Sequence, residues 1–335
     1  MNFKTLLKIM LSVMGLSVLI SNAYAGAWED YKQRYLDEDG AIIDTGNNNM
    51  SHSEGQSYGM LFALYFNDKD SFDKICKWTL VNLYNEKTGL LNWAYKRNQS
   101  DPTADKNNAT DGDLMIAWVL IEAGKKWNVN AYTKRGEKML SALMSKLVMK
   151  MGGSYILLPG IENFYFNSHA IVNPSYYIYP ALLGIHKHTF SKRWREISDD
   201  GKKLISNLKT QKIKLAPDWI KYEANGDNAP SDKWPVRSSY DAIRVPLYLF
   251  WENSEAKELK PWLEWFSRYP ASNTPAWVNV MTGETAGYPM SNGLLSVRTL
   301  ITTGYVAEPK FSDNDDYYNA SLMMLAYLAA NHAFM

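Results

Sequence analysis

Apolar positions along this chain follow two patterns, and the two take turns. In residues 57–67, 114–124, 174–186, 240–251, 293–303 and 318–331 almost every side of a helical wheel is apolar, with Leu114-Met-Ile-Ala-Trp-Val-Leu-Ile121 as the type. A helix without a polar face belongs inside a larger assembly. Residues 28–37, 70–84, 131–149 and 256–268 instead carry apolar residues on one stripe, as does the stretch holding Trp194, Ile197, Leu204, Ile205 and Leu208. That spacing marks helices lying over a core. The pattern predicts six buried helices and five covering ones, with a sixth cover sought in 304–316. Packed as an inner ring wrapped by an outer ring, they form an all-α (α/α)6 double barrel, one domain over residues 26–335. A helical bundle or an α-solenoid is the competing arrangement, and the lack of a fixed-period repeat weighs against the solenoid. Short β signals at 153–158 and 276–281 read as peripheral hairpins. The polar loops 39–52, 97–109 and 221–237 suit a binding rim.

Composition narrows the class. With 46% apolar and 21% charged residues over 335 positions, the chain is an ordinary globular one. A net charge of +1 gives no case for nucleic acid or an anionic membrane as partner. The single cysteine, Cys76, rules out an internal disulfide and any multi-cysteine zinc site. Aromatic residues make up 13%, enough to supply flat surfaces for stacking a ligand beyond those a core needs. Residues 1–25 read as an export signal: Lys4 and Lys8, the apolar run Leu11 to Ile20, then Ala23-Tyr24-Ala25 as a cleavage site. The expected mature chain starts at Gly26 and is periplasmic or secreted, free of the membrane and monomeric. Losing Lys4 and Lys8 turns its net charge from +1 to −1.

Three carboxylates stand at the start of three of the buried helices. Ser53-Glu54-Gly55-Gln56, Thr110-Asp111-Gly112-Asp113 and Ser238-Ser239-Tyr240-Asp241 each have the form of a capping box. Taken singly, each acid reads as answering the helix dipole. Their facing argues for more. Glu54, Tyr58, Leu61 and Tyr65 share a stripe, as do Asp111, Leu114, Trp118 and Ile121, and again Asp241, Val245 and Tyr248. In a ring of parallel inner helices these acids gather at one mouth. Clustered carboxylates cost stability through repulsion and desolvation, so a use is the better reading.

Paired carboxylates among aromatics suggest glycoside hydrolysis, which needs a protonated acid for the leaving oxygen and a carboxylate for water or the sugar carbon. Their pKa values must then be pushed apart. A helix N-terminus favours ionised Glu54, worth about 0.3–1 kcal/mol. A neighbouring like charge shifts a carboxyl by about a unit or more, which is enough to win.

The same motifs carry a resemblance. Ser-Glu-Gly-Gln-Ser-Tyr-Gly-Met (53–60), Ala-Thr-Asp-Gly-Asp-Leu-Met-Ile-Ala-Trp (109–118) and Ser-Ser-Tyr-Asp-Ala-Ile-Arg-Val-Pro (238–246) are similar to glycoside hydrolase family 8, as are Asn173-Pro-Ser-Tyr176 and Asp316-Tyr-Tyr-Asn319. The likeness runs over nearly the whole chain after residue 25 and is nearest to the enterobacterial endoglucanases. It implies an (α/α)6 barrel, an inverting mechanism, no cofactor, and endo-attack on β-1,4-glucan. It further implies Glu54 as proton donor, Asp241 as the base that activates water, and Asp111 as the acid holding the −1 sugar. Inversion asks for about 6.5–9.5 Å between the Glu54 and Asp241 carboxyls. Tyr240 and Arg244 flank the base and, with Trp93 and Trp234, are expected to bind substrate; the family pattern puts Tyr176, Tyr317 and Tyr318 near the sugar. Chitosan, xylan or mixed-linkage glucan as substrate, a lyase, and a non-catalytic glycan-binding protein remain open alternatives.

Weaker features point elsewhere or nowhere. His186 and His188 are two apart and cannot share a helical face, so no metal is expected there. Asp313-Asn-Asp315-Asp316 lacks the glycine and distal glutamate of an EF-hand and reads as a loop capping the last helix. His52 reads as a loop histidine beside the Glu54 motif, solvated or else in reach of substrate. Trp93, Trp118, Trp219, Trp234 and Trp277 are stacking candidates. Of these Trp118 sits mid-helix as core would, while Trp93, Trp234 and Trp277 stand in loop or hairpin contexts. Cys76 reads as a buried, inert thiol.

Overall fold

The computed structural model describes residues 26–208 and 210–335; the expected export signal, residues 1–25, lies outside them. Eleven α-helices carry the described chain. They are α1 (Gly26–Tyr35), α2 (Ser53–Tyr65), α3 (Lys69–Asn82), α4 (Thr110–Lys126), α5 (Asn130–Lys146), α6 (Tyr179–Thr189), α7 (Lys192–Ser206), α8 (Arg244–Glu252), α9 (Lys260–Phe266), α10 (Asn292–Thr303) and α11 (Tyr317–Ala330). The inner helices close on one another: α2 packs on α4, α4 on α6, α6 on α8, α8 on α10 and α11, and α11 back on α2. The covering helices α3, α5 and α7 fold back as hairpins on α2, α4 and α6, and α1 lies on α11. This is the (α/α)6 double barrel.

The apolar pattern explains which helix goes where. From Leu114 to Ile121 every residue of α4 is buried, and so is every residue of α8 from Arg244 to Trp251. In α7 only Trp194, Ile197, Ser198, Gly201 and Leu204 are buried, one stripe of a charged helix. Trp118, a stacking candidate that read equally as core, is core: it is fully buried and packs edge-on against Trp251 and Phe334. Cys76 is buried on α3, and burial pushes its thiol up to about 12, so it is inert as expected.

Two helix starts lie downstream of the apolar pattern, and prolines explain both. The run 174–186 is a 3-10 turn at Pro174–Tyr176 followed by α6 from Tyr179. A helix begun at 174 would carry Pro180 in its interior, where it lacks an N–H and clashes with the preceding turn. The run 240–251 likewise starts only at Arg244, which leaves Pro246 in the first turn of α8, where its missing donor is harmless. Helix α10 is not apolar all round: Leu294, Val297, Leu300 and Ile301 are buried while Thr302 and Thr303 are exposed. No helix forms among the described residues 304–316, so the sought sixth cover is absent there. Gly304 stops α10 in the left-handed region, and the chain then runs to Asp316, which caps α11 by accepting the Asn319 N–H.

Short strands tie the loops together. Strands β5 (Val148–Met151) and β6 (Ser154–Leu157) form the expected hairpin. The second expected hairpin also forms, through antiparallel bridges Val278–Thr285 and Pro275–Pro289, and its first arm adds a long-range pair, β10 (Arg237–Ser238) with β11 (Val278–Asn279). Strand β7 (His169–Val172) pairs with β8 (Ile220–Glu223), and β8 with β9 (Asn228–Pro230). Strand β1 (Ser51–His52) pairs with β4 (Ala94–Tyr95), and β2 (Tyr84–Asn85) with β3 (Leu90–Leu91). Strands β1 and β10 enter the two segments that carry Glu54 and Asp241.

Candidate active site

Glu54 lies in the first turn of α2, but the box expected there does not form. His52 caps the helix. Its Nδ1 accepts the Gly55 N–H at 3.0 Å, so the proton sits on Nε2 and is donated to Asp44 at 3.2 Å. The Gln56 amide turns away to Ile42, Gly40 and Thr79. His52 is therefore a nearly buried structural cap rather than a solvated loop residue.

Asp111 lies in the first turn of α4, where Ala109 holds the cap position and no side chain caps the helix. Thr110 Oγ1 donates to the Leu158 carbonyl at 2.6 Å, anchoring the turn to the β5–β6 hairpin. The neighbouring Gly112 sits against α2. A Cβ there would lie 2.4 Å from Ser53 Oγ and 2.7 Å from the Ser53 carbonyl carbon. Only glycine lets the two helix starts touch and brings Asp111 close to Glu54. Gly112→Ala is expected to cost about 1–3 kcal/mol as an overpacked site. Chemical denaturation would show it as a lower midpoint.

Asp241 stands before α8, in the turn 240–243 rather than on a helical stripe. Its link to the other acids is Arg244, three residues on. The Arg244 guanidinium is buried, and its Nη2 donates to Asp241 at 2.7 Å and to Ser175 Oγ at 3.1 Å. Its Nη1 donates to Glu54, to Asp111 at 3.4 Å and to Tyr58 Oη at 3.1 Å. One fork thus holds all three acids. The side chains are 3% exposed for Arg244, 5% for Asp111, 18% for Glu54 and 34% for Asp241. Glu54 and Asp241 reach solvent, while Asp111 is almost sealed.

The electrostatics follow from three acids around one cation. Burial pushes Asp111 up to about 6, against the pull of the Gly112 N–H and of His52. Asp241 is also raised, first by burial and then by the charges of Asp218 and Asp111; the Asn173 amide opposes this, and so does the direct Arg244 contact. Asp113, one helical step beyond the site, is fully buried. It accepts hydrogen bonds from the Leu91 N–H at 2.8 Å and from Asn108 at 2.9 Å. Burial outweighs those donors and lifts it to about 8. The sign for stability is direct. Raised carboxyls bind more protons folded than unfolded between about pH 4 and 8, so stability falls as pH rises across that window. Asp113→Asn is expected to flatten this fall, seen as a smaller drop in thermal midpoint between pH 5 and pH 8.

The expected sugar-facing residues are placed unevenly. Tyr176 lies by the site, close enough to feel the charges of Asp111 and Asp241. Its ring is 6.4 Å from Trp219, which stacks on Trp234 at 4.3 Å and on Phe164 at 5.8 Å. Trp219, Trp234 and Tyr176 are all partly exposed, so they form an aromatic row leading from the acids. Trp93 is partly exposed beside the Glu54 turn: its carbonyl accepts the Ser53 N–H and its indole donates to Asp105 at 2.7 Å. Tyr240 is exposed, its hydroxyl 3.3 Å from that of Tyr288, and its carbonyl accepts from the Tyr318 hydroxyl.

Two expectations are corrected. Tyr317 is buried, packed edge-on against His52 and Tyr35, because its place in the first turn of α11 points it inward. Arg244 is not open to a ligand but lies beneath the acids. Trp277 carries the Arg237 guanidinium 3.6 Å above its ring. His186 bonds to the Ser191 carbonyl and His188 to Glu137.

Sequence reasoning missed Ser175, Asp44 and Asp218, whose roles depend on which loops and turns the fold sets side by side. A serine inside Asn173-Pro-Ser-Tyr176 was visible, but nothing local pointed its hydroxyl at residue 244.

A double barrel of helices presenting acids at one end, with an aromatic row beside them, is the plan of a glycoside hydrolase. Residues 2–332 match the model of glycosyl hydrolases family 8. The chain belongs to that family, and it is a glycoside hydrolase. An endoglucanase of Cellulomonas uda is 42% identical over 84% of this chain and 79% of its own. A probable endoglucanase of Novacetimonas hansenii is 36% identical over 92% and 91%. The crystal structure of a family 8 endoglucanase from Klebsiella pneumoniae superposes with a TM-score of 0.89 at 42% identity, covering 91% of this chain and 99% of that one. Among the described residues no helix is long and apolar enough to cross a membrane.

Proposed function

We propose that this chain is an exported endo-β-1,4-glucanase that cleaves cellulose-type chains with inversion. What carries the reading is the meeting of Glu54, Asp111 and Asp241 on the one Arg244 guanidinium, with two of the three open to solvent. Glu54 protonates the departing glycosidic oxygen. Asp241 takes a proton from the water that attacks C1 from the opposite face. Asp111 shares the Arg244 Nη1 with Glu54, which sets the two carboxyls side by side. Holding the −1 ring falls to Asp111 by the family resemblance; its carboxyl, 5% exposed, is too sealed to exchange protons with bulk water. Glu54 and Asp241 sit on different nitrogens of the fork, on its two sides, which suits a gap for water between them. The relatives named as endoglucanases support β-1,4-glucan as substrate.

The test is carboxymethylcellulose, with xylan, chitosan and mixed-linkage glucan alongside. The expected result is a fast loss of viscosity with few reducing ends on carboxymethylcellulose. Proton NMR of early product should show the α-anomer first. A β-anomer first would mean retention, and an ultraviolet-absorbing product a lyase. No product from any glycan would leave a binding protein.

A further inference from the structure

Asp218 lies outside every motif described above, yet it is buried and aimed at the segment that carries Asp241. It sits just before β8, and its own N–H donates to the Arg237 carbonyl at 2.7 Å. Its Oδ1 accepts the N–H of Ser239 and the N–H of Ala242, each at 2.9 Å. Its Oδ2 accepts the Ser239 hydroxyl. Those donors bracket Asp241 on both sides in the chain.

We propose that Asp218 is a positioning residue for the reaction: it clamps the 239–242 turn that presents Asp241, and it sets a second negative charge beside that carboxyl. The inference rests on Asp241 being the base. A base that must draw a proton from water gains from a neighbouring negative charge. The turn's own backbone bonds, from the Ile243 N–H to the Ser239 carbonyl at 3.0 Å and from the Arg244 N–H to the Asp241 carbonyl at 3.1 Å, run downstream into α8, so an outside clamp on the Ser239 and Ala242 N–H groups adds to the hold on its aim. Other groups also face Asp241. Arg244 contacts it directly, Asp111 lies across the fork, Glu54 shares the same guanidinium, and the Tyr176 and Tyr318 hydroxyls are near. Burial raises the Asp218 carboxyl in turn, against the pull of the Ser239 and Ala242 donors and of the Arg237 cation. Among the carboxylates around Asp241, Asp218 is the one bound to its own turn.

Two variants separate charge from clamp. In Asp218→Asn the amide oxygen can still accept both backbone N–H groups, and the Ser239 hydroxyl can turn to accept from the new NH2. The geometry stays and the charge goes. Removing a negative neighbour lets Asp241 lose its proton more easily, so the acidic limb of the kcat/KM profile should move down by about half a pH unit or more. Asp218→Ala loses the clamp as well, and kcat should fall about 10-fold or more with KM within about 2-fold. An acidic limb that coincides with the wild type in Asp218→Asn, or a wild-type kcat in Asp218→Ala, overturns the proposal. So does a collapse of Asp218→Asn to the level of Asp241→Asn, since that would make Asp218 the base. Asp241→Asn run in parallel keeps the two readings apart: if it stays active, the assignment of Asp241 has failed, whatever Asp218 does.

Discussion

Glu54→Gln is expected to lower kcat on carboxymethylcellulose by at least ~10²–10⁴, the range for loss of a general acid. The amide is nearly isosteric and keeps a carbonyl oxygen that can accept from Arg244 Nη1, so the fork stays in place. What is lost is the proton for the leaving oxygen, and the alkoxide departs poorly without it. Glucan binding should persist, because the aromatic row of Tyr176, Trp219 and Trp234 is untouched. Removing one carboxylate from three also relieves repulsion, so the thermal midpoint should hold or rise. The measurement is kcat beside binding of a soluble cello-oligosaccharide. Wild-type turnover in this variant would remove Glu54 from the mechanism.

Arg244→Met should damage both folding and activity. The guanidinium is buried and is the direct partner of Asp241, Glu54 and Asp111. Deleting one member of a buried ion cluster leaves charge uncompensated, at about 3–5 kcal/mol. Tyr58 and Ser175 lose a donor as well. The loss should depend on pH in a defined direction. Without the cation the three acids hold protons more tightly, so the folded state is hurt most where they must ionise. The deficit against wild type should therefore be smaller at pH 5 than at pH 8, read from thermal midpoints at both. Arg244→Lys should rescue little, since an ammonium is one point charge and cannot present two nitrogens to opposite sides. An equal deficit at both pH values would show that Arg244 serves packing alone.

Much of the architecture is legible from local pattern. Alternating all-apolar and one-striped helices, such as Leu114–Ile121 against Trp194–Leu204, bury their surfaces well as one ring inside another. The family likeness of the motifs around Glu54, Asp111 and Asp241 was equally plain. Less legible were the helix starts, though Pro180 and Pro246 were signals in view: each marks a first turn and moves the start downstream. The capping boxes were misread because Ser53, Thr110 and Gln56 spend their hydrogen-bonding groups on distant partners or on none, while a histidine ring caps α2.

Periodicity and short motifs are local properties of a chain, so the two kinds of helix, the family likeness and the three acids are all readable along it. That these acids meet on Arg244, that Tyr317 turns inward and that Asp218 bonds to the turn of Asp241 became visible in the folded molecule. Arg244 lies 190 residues from Glu54 and 133 from Asp111, and their contact exists only once the ring has closed. No local rule reports which side chains a closed ring brings within hydrogen-bonding distance.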